Sequence, residues 1–177
     1  MNNKKISKYL SLVLRHKPEL ANLQLNNQGW ALIDDLIKNS REHALSLELI
    51  QSIVDANDKQ RFAISEDGKM IRANQGHSID VDLALKATIP PDILFHGTAS
   101  RFIESIKEVG LIKGQRHHVH LTESKDTAMK VGRRYGKAIL LGIDAKAMHM
   151  QGVKFYKTQN QVWLVEHVPP EKLHFDL

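Results

Sequence analysis

Hydrophobic residues recur at helical spacing through the first third of the chain. Ile6, Leu10, Val13 and Leu14 fall on one face, and Pro18 lies beyond the end of that run. Residues 26–29 (NNQG) are a turn signal, and Trp30, Ile33, Leu36 and Ile37 mark a second amphipathic helix. Ser46 stands where a cap belongs for a third helix, with Leu47, Ile50, Ile53 and Val54 on its buried face. The period then changes from helical to alternating. Residues 61–65 and 69–72 read as two strands joined by Glu66, Asp67 and Gly68. Three helices and a hairpin make the layout of a winged helix-turn-helix, which binds nucleic acid in some proteins and other proteins elsewhere.

Pro90 and Pro91, within residues 87–92 (ATIPPD), end any helix and favour an extended joint. They divide the chain into residues 1–89 and 90–177. Beyond them the pattern mixes strands and helices. Residues 92–95 read as a strand, followed by a turn at His96, Gly97 and Thr98. Ser100 is placed to cap a helix running to Val109, with Gly110 at its end. Residues 118–121 form a strand, and Thr122 or Ser124 caps a helix to about Arg134, with Gly136 just past it. Further strands are expected at 138–143, 152–155, 161–165 and 172–175. Short strands with two helices imply an α+β fold on a split, mostly antiparallel sheet.

The bulk numbers narrow the function classes only a little. The 177 residues carry a formal charge of +5, which favours a polyanionic partner. There is no cysteine, so disulfides and thiolate-bound metals are excluded. No apolar run is long enough to span a membrane, and the start, MNNKKISKYL, lacks the apolar stretch of a signal peptide. The expected location is cytoplasmic, with no membrane partner.

Three arginines stand beside glycine, histidine or proline at predicted element ends: Arg15 in LVLRHKPE, Arg72 in MIRANQGHS and Arg134 in VGRRYGK. The guanidinium fork binds phosphate oxygens in pairs. Three such forks meeting at one point would clamp a phosphate. Each also has a plainer reading. Arg15 and His16, like Arg133 and Arg134, suit a helix C-terminus, where the macrodipole favours cations. Arg72, Asn74, Gln75 and His77 surround Gly76 with donors for phosphate and ribose, or form a solvated loop. His96, Gly97 and Thr98 suit a ligand ahead of a helix N-terminus, or a cap. His118 and His120 share one strand face but supply only two ligands, so no metal site is expected. Glu166 reads as a strand-end surface charge. Neither a dinucleotide-binding glycine fingerprint nor a Walker lysine motif occurs.

Taken in order, LVLRHKPE, IRANQGHS, LFHGT, HVHLT, VGRRYGK and VWLVEHVPPEKL resemble the RNA 2′-phosphotransferase family, the KptA-type tRNA 2′-phosphotransferases, over almost the whole chain. The resemblance implies an N-terminal winged-helix lobe for RNA and a C-terminal ADP-ribosyltransferase-like lobe for NAD. It implies that an internal 2′-phosphate of RNA, of the kind left at a spliced-tRNA junction, is transferred to NAD, which is consumed. The products would be RNA with a 2′-hydroxyl, ADP-ribose 1″,2″-cyclic phosphate and nicotinamide, formed through an ADP-ribosylated RNA. Carried over by motif, the catalytic residues are Arg15, His16, Arg72 and Arg134, with no metal. Tyr135 stands where the family usually has histidine, so Arg133 remains a second candidate for the third arginine. NAD contacts would come from His96, Gly97, Thr98, His120 and Thr122. Two other readings fit the residues: a different ADP-ribosyltransferase acting on protein or nucleic-acid ends, and a non-catalytic winged-helix binding protein.

Overall fold

A computed structural model of the chain describes residues 3–57 and 60–175. The chain divides into two compact units, the first ending at Ala84 and the second beginning at Leu85. Each has its own hydrophobic core.

In the first unit, α1 (Asn3–Arg15) buries Ile6, Leu10, Val13 and Leu14, the stripe its periodicity sets out. It stops where the His16 and Lys17 amides both turn back to the Leu12 carbonyl, ahead of Pro18. The 26–29 segment closes as a turn, with the Gly29 amide on the Asn26 carbonyl at 2.9 Å. Trp30 does not begin a helix. It leads into a short strand, β1 (Ala31–Leu32), and α2 (Ile33–Asn39) starts only after that. The third helix, α3 (Leu47–Asp55), is capped by Ser46, whose hydroxyl accepts from the Leu49 amide at 3.2 Å. The hairpin follows as β2 (Phe62–Ile64) and β3 (Met70–Ala73). β3 lies in the middle of a three-stranded antiparallel sheet, with Ala31 opposite Ile71 on one side and Ala63 opposite Arg72 on the other.

The second unit is built on β4 (Ile93–Ala99), which runs straight through His96, Gly97 and Thr98. The turn expected there is absent. Each of these residues is matched by one on β7 (Ala138–Asp144) in an unbroken antiparallel register, from Ile93–Asp144 to Ala99–Ala138. Between these strands come α4 (Ile103–Val109), β5 (Leu111–Ile112), β6 (Val119–Leu121) and α5 (Lys125–Gly132). Ser100 begins a short 3₁₀ turn and caps nothing, whereas Ser124 caps α5 by accepting from the Thr127 amide. After β7 comes a helix the hydrophobic pattern misses, α6 (Ala145–Met150), capped by Asp144. The chain finishes with β8 (Tyr156–Lys157), β9 (Trp163–Val165), β10 (His167–Val168) and β11 (Leu173–His174). The strand expected at 152–155 lies instead at β8.

Every strand pair among the described residues is antiparallel, and the second unit's strands fall into separate groups: β11-β7-β4, β6-β9-β8 and β10-β5. The first two groups meet where Phe95 and Thr122 exchange backbone hydrogen bonds of 2.8 and 2.9 Å. The chain is therefore an α+β protein. Among the described residues, no helix is long and apolar enough to cross a membrane.

α5 lies against β4 so closely that two glycines are obligatory. A methyl group on Gly97 would sit 1.6 Å from the Ala128 carbonyl oxygen, and one on Gly132 would sit 2.6 Å from the Thr98 oxygen. Gly97 is thus fixed by packing, whatever else it does.

Candidate functional site

Arg15 is the last residue of α1 and points back into its own unit. Two of its guanidinium nitrogens, Nε and Nη2, are sealed from solvent, and the group lies 5.9 Å from the ring centre of the buried Phe62. The 74–78 loop wraps this helix end. The Ser78 amide donates to the Arg15 carbonyl at 2.9 Å, and Nδ1 of His16 and the Ser78 hydroxyl form a hydrogen bond at 2.9 Å. Gly76 has φ +85°, open to glycine at little cost, and a methyl there would stand 3.6 Å from an Arg15 terminal nitrogen.

Two polar residues of that loop are taken up inside the unit. Asn74 is buried; its side chain donates to the Gln60 carbonyl and its amide to the Arg61 carbonyl, closing the end of the hairpin. His77 is also buried, 2% exposed, beneath the Gly29 turn. These two act as scaffold. Arg72 is different. It lies on β3 with its guanidinium carbon 4.6 Å from the ring centre of Trp30, and its Nε is buried with no hydrogen-bond partner. Burial pulls its pKa down. The ion pairs seen among the described residues do not involve Arg72, Arg133 or Arg134.

In the second unit, His96 on β4 reaches the backbone of His120, next to the point where Phe95 and Thr122 pair. His96 Nδ1 lies 2.9 Å from the His120 carbonyl oxygen. A carbonyl only accepts, so Nδ1 carries the proton. Burial, above all, lowers the His96 pKa, with the Arg116 charge adding to it and the His120 hydrogen bond opposing it. The ring is therefore neutral and its Nε2 is an acceptor, suited to an amide N–H or a ribose hydroxyl. The Nδ1 of His120 is 3.4 Å from an Arg116 nitrogen, and the Thr122 hydroxyl accepts from the Ser124 amide at 3.1 Å. Thr98 is 6% exposed.

Arg133 and Arg134 sit on a 3₁₀ turn (Arg133–Tyr135) that continues α5. Gly132 before this turn is pressed against Thr98, and Gly136 after it has room for a methyl only 3.6 Å from the Ala99 side chain. Both ends of the arginine turn are thus anchored against the end of β4, and both arginines are exposed. Glu166 is exposed and paired with Lys113, which holds its carboxyl below the usual range. Among the described residues no group of histidine and carboxylate side chains is arranged to hold a metal ion.

Trp30 and Phe62, the rings beneath Arg72 and Arg15, belong to the candidate site and are passed over by sequence reasoning. The available signal was register: a residue just before β1 falls level with Arg72 on the neighbouring strand.

Comparison with known proteins adds a finding of a different kind. The family model described as RNA 2′-phosphotransferase, Tpt1 / KptA family, matches residues 1–167. A probable RNA 2′-phosphotransferase of Acaryochloris marina is 53% identical over 170 residues, covering 95% of this chain and 94% of that protein. Another of the same name, from Pseudomonas fluorescens, is 55% identical over 168 residues, covering 92% and 91%. One from Flavobacterium johnsoniae is 48% identical over 174 residues, covering 97% and 96%.

Proposed function

Because the chain belongs to the RNA 2′-phosphotransferase family, we propose that it removes an internal 2′-phosphate from RNA by transferring it to NAD. The observation that best supports the phosphate-binding part is Arg72, a half-buried cation with no carboxylate partner among the described residues. An anion from outside the chain meets that need.

The nucleophile arrives with the substrate. A phosphate monoester carries about −1.5 to −2 charges at neutral pH. One of its oxygens attacks the anomeric carbon of the NAD ribose, and nicotinamide leaves with the bonding pair. The adjacent ribose hydroxyl then attacks phosphorus. The RNA 2′-oxygen departs and takes up a proton, and ADP-ribose 1″,2″-cyclic phosphate is released. No protein nucleophile is required. The protein's work is to hold two anionic reactants in line and to stabilise charge as phosphorus passes through its transition state.

Arg15 and Arg72 supply forked donors to the phosphate oxygens. His16, oriented by Ser78, is placed to donate to the phosphate or to hand a proton to a leaving oxygen. Arg134, on a turn anchored at both ends, supplies a third cation. The first unit thereby serves as a winged-helix lobe for the RNA and the second as an ADP-ribosyltransferase-like lobe for NAD. In the second unit His96 accepts from the NAD amide or ribose, with Thr98, His120 and Thr122 around it and Gly97 setting the strand beneath. RNA from a spliced-tRNA type junction is the substrate class this chemistry suits.

The test is to incubate the protein with an oligoribonucleotide carrying one internal 2′-phosphate, with and without NAD, and to identify the products. The expected result is loss of the phosphate only with NAD, accompanied by cyclic-phosphorylated ADP-ribose. Free inorganic phosphate without NAD would identify a phosphatase instead. An ADP-ribosylated RNA that accumulates unresolved would identify a different ADP-ribosyltransferase.

A further inference from the structure

The backbone that carries the ring beneath Arg72 is fixed on both sides of the residue. The Asn26 side-chain oxygen accepts from the Gln28 and Trp30 amides, each at 3.0 Å, and the Asn26 amide donates to the Trp30 carbonyl at 2.9 Å. Gly29 turns the chain inside that loop with φ +80°. Trp30 is therefore tied through its amide and its carbonyl alike. The next residue, Ala31, pairs with Ile71, which brings Trp30 level with Arg72 on the adjacent strand. The indole covers one face of the guanidinium at 4.6 Å. On the other neighbouring strand, Arg72 is opposite Ala63, whose side chain offers no polar group.

A guanidinium normally takes its orientation from carboxylates or carbonyls. Arg72 has no ion pair among the described residues, and its Nε has no hydrogen bond. The stacked ring is the contact left to fix its plane. An aromatic face does this without occupying the N–H edge, so the fork stays open to an anion. A carboxylate in the same place would orient the arginine and also cancel the charge it needs.

We propose that Trp30 is a positioning residue, which sets the plane of Arg72 for a phosphate oxygen pair and so confers preference for 2′-phosphorylated RNA over unmodified RNA. This rests on the reading of Arg72 as a phosphate-binding residue.

The experiment measures the affinity ratio of two oligoribonucleotides of the same sequence, one with an internal 2′-phosphate and one without. It uses the full chain and the variants Trp30→Phe, Trp30→Leu, Arg72→Ala and Trp30→Leu/Arg72→Ala, with an unfolding midpoint for each. Should the leucine variant fail to fold, Trp30→Met takes its place. Trp30→Leu is expected to lower the ratio about 10-fold, the size of a partly desolvated cation–π contact. Trp30→Phe should keep it within about 3-fold, since any aromatic face serves. The double variant should fall no lower than Arg72→Ala alone. A ratio unmoved by Trp30→Leu but reduced by Arg72→Ala would overturn the role given to Trp30. So would an equal loss from Trp30→Leu in both backgrounds, because the ring would then not act through the arginine. A wild-type ratio in Arg72→Ala would instead remove the underlying reading of Arg72, and this inference with it.

Discussion

Arg72 is half withdrawn from water without gaining a carboxylate, and this imbalance sets what its removal should do. A charged hydrogen bond is worth roughly 1.5–3 kcal/mol, so losing one phosphate-binding arginine should slow turnover roughly 10- to 150-fold. Arg15→Ala, Arg72→Ala and Arg134→Ala are each expected in that range, and Arg133→Ala close to wild type, in single-turnover assays at saturating RNA. If Arg133→Ala is the damaging change of the two, the third arginine has been placed one residue too late. His96 has a separate consequence for stability. Its pKa in the folded chain lies below the ordinary 6.5, chiefly through burial. As pH falls, the unfolded chain therefore takes up the proton first, and stability is lost as pH drops below about 6.5. His118 is shifted the same way, again mainly by burial. The lowered carboxyls of Glu123 and Glu166 start from 4.5, so their contributions disappear only at more acid pH. Resistance to denaturant should weaken between pH 7 and pH 5, and His96→Asn should reduce that slope. An unchanged slope would show that the half-buried His96 imidazole is not its source.

At the scale of elements, what can be read from the chain depends on how local the cause is. The α1 stripe, the Ser46 cap, the Ser124 cap and the 66–68 turn are each specified by neighbours a few residues away, and each forms as expected. Trp30 is misread because its spacing to Ile33 mimics a helix, whereas the Asn26 side chain fixes it in a turn. The His96-Gly97-Thr98 stretch looks like a turn because glycine is rare in strands. Here glycine answers to α5, an element about thirty residues further on. α6 is missed because six residues are too few to show a period, although Asp144 ahead of it is a capping residue in plain view. The site residues follow the same division. Arg15 and His16 stand at a helix end visible in the pattern, but the rings behind Arg15 and Arg72 depend on sheet register. Gly97→Ala tests the packing account. The added methyl must displace the Ala128 carbonyl, so the second unit should lose about 3 kcal/mol or more in denaturant unfolding. Retained stability would show that α5 can lift from β4 cheaply.

For the whole molecule, two separate cores place the useful cut between Ala84 and Leu85. Ala87 bridges to Tyr156 and the Thr88 amide donates to the Phe155 carbonyl, so both belong with the second unit although they precede Pro90 and Pro91. A fragment of residues 85–177 is expected to unfold cooperatively and to be more stable than one of residues 90–177, which lacks that edge. Equal midpoints would mean those contacts contribute nothing. The near-touching backbones at Gly97 and Gly132 carry a warning for large-scale genetics. In a saturation library scored by survival alone, both positions would rank beside the arginines, and the ranking would not say that packing is enough to put them there. Scoring the same library for intracellular abundance would separate them, because misfolded glycine variants would be cleared while arginine variants persisted as inert protein.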